Sequence, residues 1–377
     1  MRFLHVTTFY PPHHHGGDAV YVRRLAEALA AQGHEVEVVH SLDAHRVQKP
    51  TPSNGVTVHG LSAPLGAIVA HQTGWPLLYW PALQRILARP FDVIHYHNVS
   101  LLGPGILTMG RARKKLYTTH EHWLVCPTHV MWKFGRRACE RPECVKCVVM
   151  ARRPPQFWRY TSMLQRCANH VDHFLAPSRA AAKLHGERGF PRPLEVFPIF
   201  APRAGQDGSR PHGKPYFLVV GRLEKYKGTH TVIPAVQGLD ANLLVAGEGP
   251  DALSHPQVRY LGRLSEAALG PLYAHAVAVV VPSLTYETFG TVTIEAFAHK
   301  TPVIARDLGA VAEPVRDSGG GFTYRTQGEL REAMIRLLEN PTLRDDLGAR
   351  GHAMFEKKWA PEPHLDAYLR LVGESSA

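Results

Sequence analysis

Short apolar runs recur along this chain, separated by glycine- and proline-rich turns and alternating with stretches of helical periodicity. Residues 2–8 (RFLHVTT) read as a buried strand, and a loop containing Gly16 and Gly17 follows. In DAVYVRRLAEALAAQ, Val20, Leu25 and Leu29 recur at helical spacing, with Asp18 as the predicted N-cap and Gly33 as the stop. HEVEVVH is the next strand, which completes a βαβ unit of a parallel sheet. The pattern returns at 91–97 (FDVIHYH) and 114–120 (KKLYTTH), with a helical stretch predicted between them. VDHFLAPS at 171–178 is a further strand, followed by a helix over about 179–188, and LEVFPIF closes this half.

Residues 201–215 (APRAGQDGSRPHGKP) are rich in proline, glycine and charge and read as a linker. A second run then begins: YFLVVG, ANLLVAG, VRYLG, AVAVVVPS and TPVIA. These segments are apolar on both faces, as buried parallel strands are. From Gln327 onward the pattern is helical. The expected fold is α/β, with two Rossmann-like domains facing a central cleft. Residues 1–200 form the first domain, with a cysteine-rich basic insert at about 121–166, and 216–360 form the second. Residues 361–377 are expected to be a C-terminal helix that crosses back to the first domain. Ligands of such sheets bind at the carboxyl ends of the strands.

A length of 377 residues suits two domains, and 45% apolar residues supply two cores. The net charge of +11 favours anionic partners: nucleotide phosphates, nucleic acid or an acidic membrane face. The N-terminal apolar run is too short for a signal peptide and meets Pro11 and Pro12 at once. No run approaches the 18 or so apolar residues of a membrane span, so a cytoplasmic chain is expected, with peripheral contact at the inner membrane face left open. Five cysteines in such a chain argue against a disulfide scaffold.

The segment SLTYETFGTVTIEAFAHKTPVIA carries the most chemistry. Glu287 is expected in a loop and Glu295 in the helix that follows, with Phe289, Gly290 and Thr291 between them. The backbone N–H groups of residues 290–293 would be the unpaired donors of that helix start. Two carboxylates beside free N–H groups suit a polyhydroxylated ligand, because carboxylates accept hydrogen bonds from hydroxyl pairs. The same spacing also fits an ordinary helix start with two solvated acids. In VVGRLEKYKG, Arg222 and Lys227 are fixed cations; in VAGEGP, Gly247 and Gly249 flank Glu248 and permit close backbone approach. Gly-Glu-Gly-Pro lacks the third glycine of a dinucleotide fingerprint, which argues against a dehydrogenase.

Together these segments resemble the retaining glycosyltransferases of family four (glycosyl transferases group 1), which have the GT-B fold and an E-x7-E motif. The resemblance runs from the first strand to the last helices. It implies that Glu287 contacts the donor sugar and Glu295 the nucleotide ribose, while amides at Phe289, Gly290 and Thr291 meet the sugar. Arg222 and Lys227 would bind the diphosphate, with the Gly247–Glu248 turn beside the base. Gly16 and Gly17 match the family's glycine pair near the donor phosphates, and His120 matches its histidine against the sugar. His95 and His97 lie on a strand similar to one in that family. The implied chemistry needs no cofactor, and it uses a nucleotide-sugar donor and an acceptor that is lipid-linked, a polysaccharide or a small molecule. Two features depart from the pattern: Gly309-Ala310 replaces the usual glycine pair, and a proline–histidine stretch precedes Gly16.

Cys126, Cys139, Cys144 and Cys147 give C-x12-C-x4-C-x2-C, a spacing able to wrap a structural zinc, with an iron–sulfur cluster or unliganded thiols as alternatives. His122 or His129 could replace a thiol, and Cys167 is expected to be buried alone. Across 132–166, Lys133, Arg136, Arg137, Arg152, Arg153 and Arg159 interleave with Trp132, Phe134, Phe157, Trp158 and Tyr160. That mixture suits anionic lipid headgroups or an acidic acceptor, and equally a partly packed surface. Two other functions compete with sugar transfer. A nucleotide-sugar epimerase would share the two-domain shape. A nucleic-acid-binding protein would use the cysteine-rich insert as a zinc module, which leaves the glutamate pair unexplained.

Overall fold

The computed structural model describes residues 1–12, 16–44, 50, 53–205, 208–251 and 254–373. The remaining positions include 13–15 of the proline–histidine stretch, 206 and 207 of the expected linker, and 374–377 of the C-terminal segment, which lie outside the described residues. The strands, in chain order, are β1 (Arg2–Val6), β2 (Glu35–Ser41), β3 (Val56–Leu61), β4 (Phe91–Tyr96), β5 (Ala112–Thr118), β6 (Trp132–Lys133), β7 (Arg137–Ala138), β8 (His173–Ala176) and β9 (Leu194–Val196). They continue as β10 (Tyr216–Val220), β11 (Asn242–Ala246), β12 (Val258–Gly262), β13 (Ala278–Val281), β14 (Val303–Arg306) and β15 (Gly321–Tyr324).

By packing, the chain divides into two compact units. The first comprises Met1–Val130, Glu143–Phe197 and Leu365–Ala377; the second comprises Met131–Pro142 and Pro198–His364. The first holds a seven-stranded sheet in the order β3-β2-β1-β4-β5-β8-β9, and the second a six-stranded sheet in the order β12-β11-β10-β13-β14-β15. Strand pairs in both sheets are parallel; the hairpin of β6 and β7 is antiparallel. Each unit is thus a Rossmann-like parallel sheet. In each, the strand order reverses beside the first strand, between β1 and β4 and between β10 and β13. Loops leaving such a switch point diverge and open a crevice at the carboxyl ends.

The cores follow from apolar strands covered by helices. Leu4, Val6, Val39, Ile94, Tyr96 and Phe174 pack in the first unit, and Phe217, Val219, Leu243, Val245, Val280 and Ile304 in the second. The helix predicted after Ser178 forms at Arg179–Glu187, where the Ser178 hydroxyl accepts from the Ala181 amide. Helix Gln327–Glu339 opens with a capping box between Thr326 and Glu329.

Three local expectations are corrected. Asp18 does not cap the first helix, Gly17–Ala31: Gly16 is the N-cap, and Asp18 sits in the first turn. There its charge complements the helix dipole. The stretch between β4 and β5 holds only a short 3-10 turn, Pro104–Thr108. A Cβ on Gly103 would lie 2.5 Å from the Gly74 backbone, so this segment is shaped by close chain approach. Finally, the basic insert is divided. Met131–Pro142 belongs to the second unit, where Thr285 Oγ1 donates to the Met131 carbonyl at 3.0 Å and the Trp132 and Tyr226 rings lie 6.4 Å apart.

Candidate functional site

In the second unit, three loops leave the carboxyl ends of the adjacent strands β10, β11 and β13. Backbone bonds lock the first two together: Gly221 N donates to Ala246 O at 3.0 Å, and Leu223 N to Glu248 O at 2.8 Å. A Cβ on Gly247 would lie 1.8 Å from the Gly221 carbonyl oxygen, so only glycine fits there. The third loop is tied in by Leu284 N donating to Tyr226 O at 2.8 Å. Gly228, at φ +75, lets the chain turn where a Cβ would meet the Pro282 oxygen at 2.1 Å.

This clamping brings Lys227 to Glu287, with Nζ 2.9 Å from Oε1. The Ser283 hydroxyl donates to the same oxygen. Burial pushes the Glu287 carboxyl up, but the Lys227 ammonium, the two hydrogen bonds and the Arg222 charge outweigh it and hold the group below its ordinary range. Glu287 is therefore an anion with a fixed cation beside it. Arg222 lies near the Tyr226 ring, pairs with Glu224 at 3.3 Å, and keeps 45% of its side chain exposed.

Glu295 occupies helix Thr291–Ala298, one element beyond Glu287. Its Oε2 accepts from the Tyr273 hydroxyl at 2.9 Å. The two glutamates therefore differ: one is neutralised by an ammonium, the other is oriented by a neutral donor. Gly290 caps this helix at φ 97 without a side-chain bond, and Phe289 is buried beneath it. The expectation of free N–H groups over 290–293 needs correction at Thr293, whose amide donates to Gly290 O at 3.0 Å. Glu248 is exposed, and its backbone oxygen is the group engaged by Leu223.

In the first unit, the switch point between β1 and β4 carries Gly16, Gly17 and an array of histidines. Asp18 Oδ2 accepts from Asn98 Nδ2 at 3.1 Å. His5 and His95 are paired across β1 and β4, and His97 lies two residues on, so all three point to one sheet face. His5 Nδ1 lies 3.0 Å from His97 Nε2, and His97 Nδ1 lies 3.0 Å from His120 Nε2. His95 is held separately, by the Tyr368 hydroxyl at 3.0 Å and Thr118 Oγ1 at 2.8 Å. Burial drives His5 down to about 3 and His97 well below its ordinary value. It takes His120 to about 4, with Asp18 pulling the other way. At neutral pH the string His5–His97–His120 is uncharged.

Three neutral imidazoles in a row can order their protons in either direction. His5 Nε2 is buried without a hydrogen-bond partner among the described residues. An orphaned N–H there would cost more than an orphaned lone pair. The favoured order therefore puts the proton on Nδ1 of His5, of His97 and of His120, and His120 Nδ1 becomes a fixed donor in the field of Asp18. Nitrogen-15 shifts of the imidazoles should report the Nδ1–H tautomer for all three; Nε2–H signals would reverse the order.

His5, His95 and His97 are also the one group, among the described residues, of three His, Cys, Asp or Glu side chains with ligand atoms within 4.8 Å of one another. Hydrogen bonds already use both nitrogens of His95 and of His97. The expected zinc ligands Cys126, Cys139, Cys144 and Cys147 form no such group. Cys126 Sγ lies 3.3 Å from Thr128 Oγ1, and Cys139 Sγ donates weakly to Arg141 O at 3.8 Å. Burial and the neighbouring Cys126 push the Cys144 thiol up. These residues do not fit a four-thiol metal site. Lys133 also departs from expectation: it is buried and donates to Arg141 O at 3.0 Å.

Sequence reasoning singled out Glu287, Glu295, Arg222, Lys227, Gly16, Gly17 and His120, and missed Ser283, Tyr273, His5 and the hairpin at 131–142. Ser283 had a readable signal, since it ends the apolar run AVAVVVPS four residues before Glu287. The other three act through long-range contacts that leave no local pattern.

Comparison with known proteins gives a consistent picture. The family described as "Glycosyltransferase Family 4" matches residues 15–200, and "Glycosyl transferases group 1" matches 203–354. The glycogen synthase of Mycobacterium tuberculosis is 26% identical over 380 residues, covering 90% of this chain and 87% of that protein. The sucrose-phosphate synthase of Thermosynechococcus elongatus superposes with a TM-score of 0.74 at 20% identity, over 99% of this chain and all of the other. Anabaena Alr3699/HepE, solved in complex with UDP-glucose, has a TM-score of 0.67 at 16% identity, with both chains covered in full. At these identities the two structures speak for the fold.

Proposed function

This chain belongs to the group 1 glycosyltransferases with the GT-B fold, and on that premise we propose that it transfers a sugar from a nucleotide-sugar donor to an acceptor hydroxyl with retention of anomeric configuration. The observation that carries the reading is the Lys227–Glu287 pair at the end of β10 and β13, with Arg222 close enough to act on the same carboxylate. A leaving nucleoside diphosphate gains negative charge as its bond to the anomeric carbon breaks. Fixed cations at that position stabilise the transition state more than the ground state. Lys227 supplies a compact charge and Arg222 a planar fork of donors.

Glu287 accepts from sugar hydroxyls, and Glu295, oriented by Tyr273, accepts from the ribose. Amides at Phe289, Gly290 and Thr291 serve the sugar, and the Gly247–Glu248 turn serves the base. In the first unit, Gly16, Gly17 and His120 match residues that the family places beside the donor. The acceptor oxygen bonds to the anomeric carbon on the face the phosphate leaves, and the acceptor proton passes to the departing phosphate oxygen. The steps use positioned charges and hydrogen bonds and assign no task to a resident cofactor. The solved complex of the HepE relative with UDP-glucose supports a nucleotide-sugar donor. Membership of a transferase family makes the epimerase reading the weaker one, and the nucleic-acid reading loses support because the cysteines form no ligand group among the described residues.

A thermal-shift screen against nucleotide sugars tests the proposal. A donor at a hundred times its Kd should stabilise the protein by about 2.7 kcal/mol. Failure of every nucleotide and nucleotide sugar to shift the transition would sink the donor assignment. The anomeric configuration of the product, read by proton NMR, decides retention.

A further inference from the structure

Among the described residues, eleven large hydrophobic side chains are exposed, and ten of them fall in two stretches of the first unit, 62–90 and 144–171. Leu77, Leu78 and Trp80 represent the first stretch; Val149, Phe157 and Tyr160 represent the second, with Val149 70% and Tyr160 66% exposed. A scattered exposed leucine is ordinary, but such concentration marks an interaction surface. The two stretches pack against each other. Trp158 Nε1 donates to the His71 carbonyl at 3.0 Å, and His71 Nε2 reaches the Pro154 carbonyl at 3.3 Å. Where they meet lies a cavity of about 480 Å³ walled by Trp75, Phe157, Trp158 and Met163, with Arg166 among its lining residues.

Charge identifies the occupant. The two stretches contain seven Lys and Arg residues and not one Asp or Glu. Arg89 is engaged by Glu35 and Glu37, and Arg159 is stacked on Trp158 and donates to the Trp123 and Leu124 carbonyls. Arg85, Lys146, Arg152, Arg153 and Arg166 stand exposed within the same two stretches as the apolar residues. Nearby carboxylates are tied up or at the margin: Asp43 accepts from Ser62, Ala63 and Tyr79, and Glu143 is the N-cap residue of the helix Cys144–Met150. A protein partner would ordinarily meet charges of both signs, whereas exposed aromatics set in segments that carry cations and no acid match an anionic bilayer surface.

We propose that this face of the first unit docks on anionic lipid bilayers, with Leu77, Leu78, Trp80, Phe157 and Tyr160 entering the headgroup region and the five exposed cations holding the lipid phosphates. The surface differs from the one expected from sequence. Trp132 and Lys133 are buried and take no part, while residues 65–80, absent from that expectation, supply half of the exposed apolar groups.

The test is sedimentation of the full-length protein with vesicles of phosphatidylcholine alone and of phosphatidylcholine mixed with phosphatidylglycerol. Binding is expected to the mixed vesicles and to fall with added salt. Arg152→Glu with Arg153→Glu should weaken it by about 30-fold or more, at roughly fivefold per cation removed. Leu77→Ser with Leu78→Ser should also weaken it, without change in circular dichroism because both side chains are exposed. Absence of binding, equal binding to both vesicle types, or a concentration-dependent dimer that the leucine variant abolishes would each overturn the proposal. The last would assign the face to a second copy of the chain. No donor or acceptor is needed in the assay, so its result is independent of the sugar-transfer reading.

Discussion

Lys227→Ala is expected to cut kcat for sugar transfer by about 10²–10³-fold, the usual cost of removing one preorganised charge or donor from a transition-state site. Its ammonium lies 2.9 Å from Glu287, so the substitution removes a cation from the leaving group and frees the carboxylate at the same time. Glu287 would then lose the main force holding its acidity below the ordinary range, and its titration should move upward. Stability should change little. The Lys227 side chain is 27% exposed, and ion pairs open to solvent contribute about 1 kcal/mol or less. Lys227→Arg should keep part of the activity. The double variant with Glu287→Gln should fall short of the product of the two single losses, since the residues act as one unit. Steady-state kinetics with the donor found by the thermal-shift screen gives all four numbers. Wild-type turnover in Lys227→Ala would remove this pair from the reaction.

The second large effect is acid lability. In the folded protein burial takes His5 and His364 to about 3 and His120 to about 4, and His97 lies well below its ordinary value. Unfolded, each titrates near 6.5. Between about pH 6.5 and pH 4 the unfolded chain therefore binds more protons, and stability rises with pH. The contribution is complete above about pH 6.5 and is lost as the pH falls toward the folded-state values. Each fully neutral buried histidine contributes a slope of about 1.4 kcal/mol per pH unit, so four give about 5. Against a typical total of 5–15 kcal/mol, this predicts cooperative unfolding near pH 5 with uptake of several protons. Three of the four belong to the first unit, which should unfold first. Far-ultraviolet circular dichroism against pH measures the midpoint, and His364→Phe should leave the first transition in place. A protein that stays folded to pH 3 would show that the histidines do not titrate as described.

Much of the architecture could be read from local pattern, because buried parallel strands and amphipathic helices are local in sequence. FDVIHYH, YFLVVG and AVAVVVPS became β4, β10 and β13 for that reason. Glu287 in a loop and Glu295 on the next helix also followed from local spacing. The misses share a cause. Asp18 looked like a cap, but Gly16 holds that position with a backbone conformation of φ 166 and ψ 179. Lys133 looked like a surface charge until the hairpin folded onto the second unit. His5 gave no sign that it would meet His97, ninety-two residues away. The cysteine spacing suited a metal, yet spacing does not fix where thiols point.

The hairpin at 131–142 also bears on how such proteins diversify. Its sequence neighbours on both sides belong to the first unit, while its own partners are Thr285 and Tyr226 in the second. The two halves of the gene are therefore not interchangeable cassettes. A chimera spliced at 201–215 would bring a foreign second half against a hairpin shaped for the original one. A fragment starting at Pro198 would leave Tyr226 and Thr285 without the Trp132 and Met131 contacts. Recombination that exchanges the second unit has to carry two separate pieces of coding sequence together.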